Sequence, residues 1–191
     1  MANRWIQAAS LLSPTIKVCG RKLLPFCLRH RVALQAIDSP ILDVNADIRA
    51  EDVMNAVKIL STHNLEDFRK PISFFEMIHL KNMKVSKKKL KEEARKLLIY
   101  FESQSLWPRF WESDKKTGKD IGVDWPLVIV ANLTKNGCTL EESWTMPESQ
   151  AVWLHIANMI SEGIDVKLVT DKEWEAMEAD RLESQLTAQN N

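Results

Sequence analysis

Apolar positions recur every three or four residues along most of this chain, and helix start and stop signals fall between the runs. The order is clearest from Asp124 to Gly163. Asp124 is placed to cap a helix with Pro126 in its first turn, and Asn136-Gly137 supplies a left-handed stop. Thr139 then opens a short helix through a reciprocal Thr-x-x-Glu box with Glu142. Pro147 restarts the chain after Met146. Ala151, Val152, His155, Ile156, Met159 and Ile160 follow at helical spacing until Gly163 closes the run. The predicted unit is a helical hairpin with a broad apolar face.

Upstream the pattern is mixed. Ile16 and Val18 alternate with Lys17 before Gly20, so Thr15 to Leu24 is expected to form a small hairpin or two extended segments, ended by Pro25. Phe26, His30, Ala33, Leu34 and Ile37 share a helical face up to Asp38-Ser39-Pro40, with Arg29 and Arg31 pointing away from it. Ile48 to Leu60 carries a stripe of Val53, Ala56, Val57 and Leu60, with Asp47 as the expected cap. Asn64 starts another turn, and Pro71 opens an amphipathic one with Phe74, Phe75, Ile78 and Leu80. Ser86 caps a helix to about Phe101, its lysines outward and Leu90, Ala94, Leu97, Leu98 and Phe101 inward. Trp107-Pro108-Arg109-Phe110-Trp111 breaks the period with an aromatic knot, read as a plug over the core or a docking site. Ile164 to Val169 is expected as a short strand. Thr170-x-x-Glu173 is a second capping box, opening a final helix with Trp174, Met177 and Leu182.

Together these signals predict a mainly α protein, a compact multi-helix domain with helical hairpins and at most a small β-hairpin near residues 15–24. The expected organisation is an N-terminal arm at 1–14, a helical core at 15–170 with a mobile loop near 112–120, and an acidic C-terminal helix and frayed tail at 171–191. The 191 residues are enough to bury one substantial core without a metal or disulfide staple.

Composition sharpens this picture in three places. Five glycines and one tyrosine disfavour a turn-rich β-sandwich, while seven tryptophans supply anchors for a core or for a partner surface. The net charge is zero but polarised. Residues 1–96 hold 18 Lys+Arg against 10 Asp+Glu, hence +8, and residues 97–191 hold 8 against 16, hence −8. Such a dipole favours a charged partner or self-association. Cys19, Cys27 and Cys138 are odd in number and lack paired spacing, which suits free thiols in a reducing compartment. Cys19, Cys27 and His30 offer three donors with no fourth at a recognised spacing, so the reading is small buried thiols with no metal or other cofactor. No secretory leader and no apolar run of membrane-spanning length is found, and a cytoplasmic protein is expected.

The sequence contains no Gly-rich phosphate loop, Cys-x-x-Cys, His-Glu-x-x-His or Gly-x-Ser-x-Gly, so no enzyme is expected. Lys87, Lys88 and Lys89 head a basic stripe, Lys81 to Lys96, that would suit phosphate. Glu92 and Glu93 interrupt it, and no aromatic base-stacking pattern accompanies it, so it is read as a solvated face.

Two segments carry a resemblance. Pro25-Phe26-x-Leu28-Arg29-His30, the Ala36 to Pro40 stop, and Gly137 with Glu142-x-Trp144-x-Met146-Pro147 together resemble the small helical tail assembly chaperones of bacteriophages and prophages. The match covers about a third of the chain. Cys27 stands where that pattern places a Ser/Thr cap, and the Lys81 to Lys96 helix has no counterpart in it. The resemblance implies a non-enzymatic protein of the host bacterial cytoplasm that binds the tape measure protein, or another helical tail protein, and keeps it soluble during tail assembly. Trp144, Met146, Trp153 and Met159 are the residues expected to line the apolar binding groove. The alternatives are a structural virion or head-tail connector component, and a nucleic-acid-binding protein using Lys87, Lys88 and Lys89.

Overall fold

The computed structural model describes residues 4–9, 16–43, 46–109, 123–170, 172–177 and 179–180. It is mainly helical with one two-stranded antiparallel sheet. In chain order the elements are α1 (Arg4–Ala9), β1 (Lys17–Val18), β2 (Arg21–Lys22), α2 (Leu28–Ala36), a 3₁₀ turn (Pro40–Leu42), α3 (Ala50–Leu60), α4 (Leu65–Arg69) and α5 (Phe74–Val85). There follow α6 (Lys87–Gln104), α7 (Trp125–Lys135), α8 (Leu140–Thr145) and α9 (Glu148–Ser161). A further helical stretch at 172–177 follows the Thr170–Glu173 box, whose carboxylate accepts the Thr170 N–H at 2.8 Å. The expected loop at 112–120 and tail beyond 180 lie outside the described residues. None of the described helices is long and apolar enough to cross a membrane.

The helix boundaries follow local chemistry. Ser73, Ser86 and Thr139 accept the N–H three residues on, and Glu76 and Glu142 complete reciprocal boxes. Gly137 and Gly163, at φ +100° and +84°, close α7 and α9. α3 departs from expectation, since it begins at Ala50 and the Asp52 carboxylate accepts the Arg49 N–H at 2.9 Å. Asp47 is therefore not its cap. Ile164 to Val169 forms no strand beyond an isolated bridge at Leu168; the Val169 N–H donates to the Arg109 carbonyl at 2.9 Å, and Val166 and Leu168 pack on the second apolar cluster described below.

The hairpin turns on Cys19 and Gly20, both at positive φ (48° and 78°), the left-handed pair that a two-residue primed turn requires. A Cβ at Gly20 would also stand 3.3 Å from the His79 ring. Gly20→Ala should therefore cost about 1–2 kcal/mol in urea unfolding, from left-handed strain and crowding together.

Two apolar clusters make the core. The first gathers Val18 and Leu23 of the hairpin segment, Leu34 of α2, the Val53–Ala56–Val57–Leu60 face of α3, Met83 of α5, and Leu97 and Tyr100 of α6. The second joins Leu28 to Ile129, Val130 and Leu133 of α7 and to Ala151, Val152 and Ile156 of α9. α2 belongs to both. α1 lies along α9, where Gln150 donates to the Ala8 carbonyl at 2.8 Å.

Polar groups buried at the seam fix how the clusters meet. The Glu148 N–H donates to the Phe26 carbonyl at 2.7 Å, beside an antiparallel bridge between Cys27 and Pro147. Ser149 donates to the Gln104 carbonyl at 2.5 Å and accepts the Leu106 N–H at 3.2 Å. Arg31, expected to point outward, instead turns in and forks onto Glu148 at 2.5 and 2.7 Å. Its guanidinium also stands 5.2–5.3 Å from the ring centres of Phe26, Trp107 and Trp125. Burial pushes the Glu148 carboxyl up, and the Arg31 guanidinium and the Trp107 indole oppose the push.

Two expected core faces differ. On α5 the buried residues are Glu76 and Met83, while Phe74 and Phe75 are 70% and 76% exposed. The Glu76 carboxylate binds the Ser73 N–H at 2.6 Å and Arg21 at 2.8 Å, and this turns its side of the helix inward and the two phenylalanines out. On α6, Leu98 is exposed and Tyr100 is buried in its place.

Glu93 is another buried anchor. It accepts the Cys19 N–H at 2.7 Å and pairs with Lys96 at 2.8 Å and Lys89 at 3.3 Å. Burial alone would raise this carboxyl, but the N–H and the two lysines outweigh it and hold it below the usual range. Its contribution is present above about pH 4.3 and lost as pH falls through the folded-state value. Glu93→Gln should lower stability at pH 7 and flatten the acid limb of a stability-against-pH curve, measured by urea unfolding.

Candidate partner-binding groove

Where α2 and α3 lie side by side, α4 and Ile72 rise on one flank and Trp144 of α8 stands at an end. The groove between them holds about 930 Å³. Its apolar lining includes Val32, Ala33, Ile37, Ile59, Phe68 and Ile72. Val32, Ile37 and Ile72 are 38%, 49% and 41% exposed, so the groove presents apolar side chains to solvent. Arg29, Asp52, Lys58, Glu66 and Arg69 also line it, three cations and two anions beside an apolar floor. Their order follows from helical spacing: positions facing neighbouring helices are apolar, and those at the margin are charged. Such a surface can take up an amphipathic helix, about 10 Å across, along its apolar stripe.

Arg29 fixes one end. Its guanidinium forks onto Glu141 at 2.8 and 2.6 Å and donates to the His63 carbonyl at 2.9 Å, tying α2 to α8 and to the loop after α3. The hydrogen bond from Arg29 holds the Glu141 carboxyl below its ordinary range. On the α4 flank, Lys58 reaches the Lys70 carbonyl and so ties α3 to the end of α4.

The four residues singled out from sequence do not share this groove. Trp144 lines it. Met146 lines a separate, shallower depression with Gly137, Cys138, Glu142 and Thr145. Trp153 is half-buried and its indole N–H donates to the Leu106 carbonyl at 2.8 Å, which anchors the segment after α6. Met159 is half-buried on α9. Of the three lysines, Lys87 and Lys88 are exposed, whereas Lys89 is paired with Glu92 and Glu93. Sequence reasoning missed Val32, Ile72 and the rim. Val32 lies on α2 away from the face that spacing picks out, Ile37, expected on that face, is 49% exposed at the helix end, and Ile72 follows Pro71 in a segment with no long period.

The histidines and thiols sort differently from expectation. Cys19 is buried apart, its sulfur 3.9 Å from that of Met83, and burial raises its thiol to about 12. Cys27, His30 and His63, by contrast, each offer one donor atom within 4.8 Å of the others. Burial pushes the Cys27 thiol up to about 11 and the His30 imidazole down to about 4. His63 and His155 are lowered, in both chiefly by burial.

In comparisons with known proteins, no family model, no curated protein and no solved structure matches this chain.

Proposed function

We propose that this protein is a non-enzymatic binder of amphipathic helices that acts as a tail assembly chaperone, keeping the tape measure protein soluble during bacteriophage tail assembly. The observation that carries the reading is the groove between α2, α3 and α4, apolar along its floor, open to solvent and bordered by charges of both signs. A long helical client exposes apolar stripes before assembly. Such a groove shields them, while the mixed rim accepts the charged flanks of the client helix. The chain runs from Ile72 directly into the exposed Phe74, Phe75, Met77 and Ile78 of α5, which extends the apolar surface available to a client longer than the groove.

The test is co-expression of the tagged protein with the long helical product of its neighbouring tail gene, followed by pull-down. The wild type should recover that product in soluble form. Val32→Glu combined with Ile37→Glu, both at exposed positions, should leave circular dichroism unchanged and weaken recovery at least about tenfold, by burying unpaired charge against the client. Equal recovery by the double variant would place the client elsewhere. Retention of the protein in finished particles at fixed stoichiometry would favour a structural tail or connector component.

A further inference from the structure

We propose that Cys27, His30 and His63 form a site for a thiophilic divalent cation, with zinc as the ion whose chemistry fits. The donors come from two places in the chain. Cys27 is the N-cap residue of α2 and His30 sits in its first turn, so Cys-x-x-His spacing brings both side chains to the start of one helix. His63 is delivered by the loop after α3, which is held by the Leu24 N–H to the Leu60 carbonyl at 2.8 Å and by Arg29 on the His63 carbonyl at 2.9 Å. One donor atom from each residue lies within 4.8 Å of the other two. Tetrahedral zinc, with bonds near 2.0–2.3 Å, sets its donors roughly 3.3–3.6 Å apart. Closure therefore asks for about an ångström of side-chain movement on a fixed backbone.

Two observations separate this cluster from a chance meeting of buried side chains. His30 is fully buried, yet its Nδ1 has no hydrogen-bond partner; the buried Nε2 of His63 has none either. Orphaned polar atoms of this kind are uncommon in a folded interior. His30 Nε2 lies 2.9 Å from the Thr62 carbonyl, the backbone contact that commonly orients a metal-bound imidazole and leaves the lone pair on the other nitrogen.

A thiolate with two imidazoles selects zinc over magnesium or calcium, which prefer oxygen. On binding, the Cys27 thiol proton leaves to solvent and the sulfur–metal bond takes its place. His63 is the half-buried member of the three, and a water would complete the tetrahedron as fourth ligand. Because Arg29 both lines the groove and holds His63, a bound ion would also stiffen that end of the groove. This inference does not depend on the client.

The experiment is a titration of chelator-treated full-length protein with cobalt(II), followed by competition with zinc. The expected result is one equivalent bound, with a thiolate-to-cobalt charge-transfer absorption that zinc abolishes. Cys27→Ser should remove that absorption while keeping the helix, since serine is a preferred cap. His63→Ala should weaken binding at least about tenfold. Circular dichroism on both variants checks the fold, and zinc should raise the melting temperature of the wild type more than that of either variant. Absence of saturable binding, saturation without the thiolate band, or wild-type affinity in Cys27→Ser would overturn the site.

Discussion

Arg31→Ala is expected to remove about 3–5 kcal/mol of folding stability, the range for breaking one partner of a buried ion pair. Glu148 has a side chain only 2% exposed, and without the guanidinium its carboxylate is left buried with no counter-charge. The same substitution removes the cation that Phe26, Trp107 and Trp125 surround. Arg31→Lys should recover little of this. An ammonium cannot fork onto both carboxylate oxygens, and it lacks the flat face that lies against three rings. Arg31→Met with Glu148→Leu should recover much of the loss, since exchanging both partners for apolar groups removes the stranded charge. Urea unfolding of the three variants checks the set. A cost below about 1 kcal/mol for Arg31→Ala would mean that water reaches the pair and that the seam is held by packing instead.

Tyr100→Ala should cost about 3–5 kcal/mol, comparable to deletion of other large buried rings. Tyr100 is fully buried, its ring meets Phe101 edge to face at 5.2 Å, and it fills the space between α6 and the hairpin segment. Its hydroxyl donates to the Leu24 carbonyl at 2.7 Å. Tyr100→Phe separates the two roles. It keeps the ring, strands the carbonyl, and should cost only about 1–2 kcal/mol. Equal losses from both substitutions in thermal or urea unfolding would assign the residue's whole effect to the hydrogen bond and remove packing as the cause.

The helices were legible because their signals are local. Thr139 and Glu142, Ser86 and Lys89, and Asn64 and Glu66 lie two or three residues apart, and their chemistry decides a boundary without help from the rest of the chain. The small hairpin was legible for the same reason, through Gly20. What the sequence hid depends on distant partners. Nothing near Arg31 indicates that Glu148, 117 residues on, will draw it inward. Phe74 and Phe75 fit an inward face by composition, yet Glu76, which looks like a surface residue, takes the inward side because Arg21 and the Ser73 N–H satisfy it there. The groove was legible only at Trp144. Its remaining lining is drawn from α2, α3, α4 and Ile72; spacing puts Ala33 and Ile37 on a core face and Val32 on the solvent side, and no local signal says that these meet around an opening. His63 joined the donor cluster unseen for a related reason, since it sits in a loop where no period applies.

The division of α2 between two clusters has a consequence for how the molecule opens. Leu28 is packed among α7 and α9, and Leu34, less than two turns further, is packed against α3. Neither half can let go of this helix without uncovering a leucine that belongs to the other. Amide hydrogens in the middle of α3 and in the middle of α9 should therefore exchange with solvent at similar rates under native conditions, through one shared opening event. Those of α1, which rests on the outside of α9, should exchange far sooner.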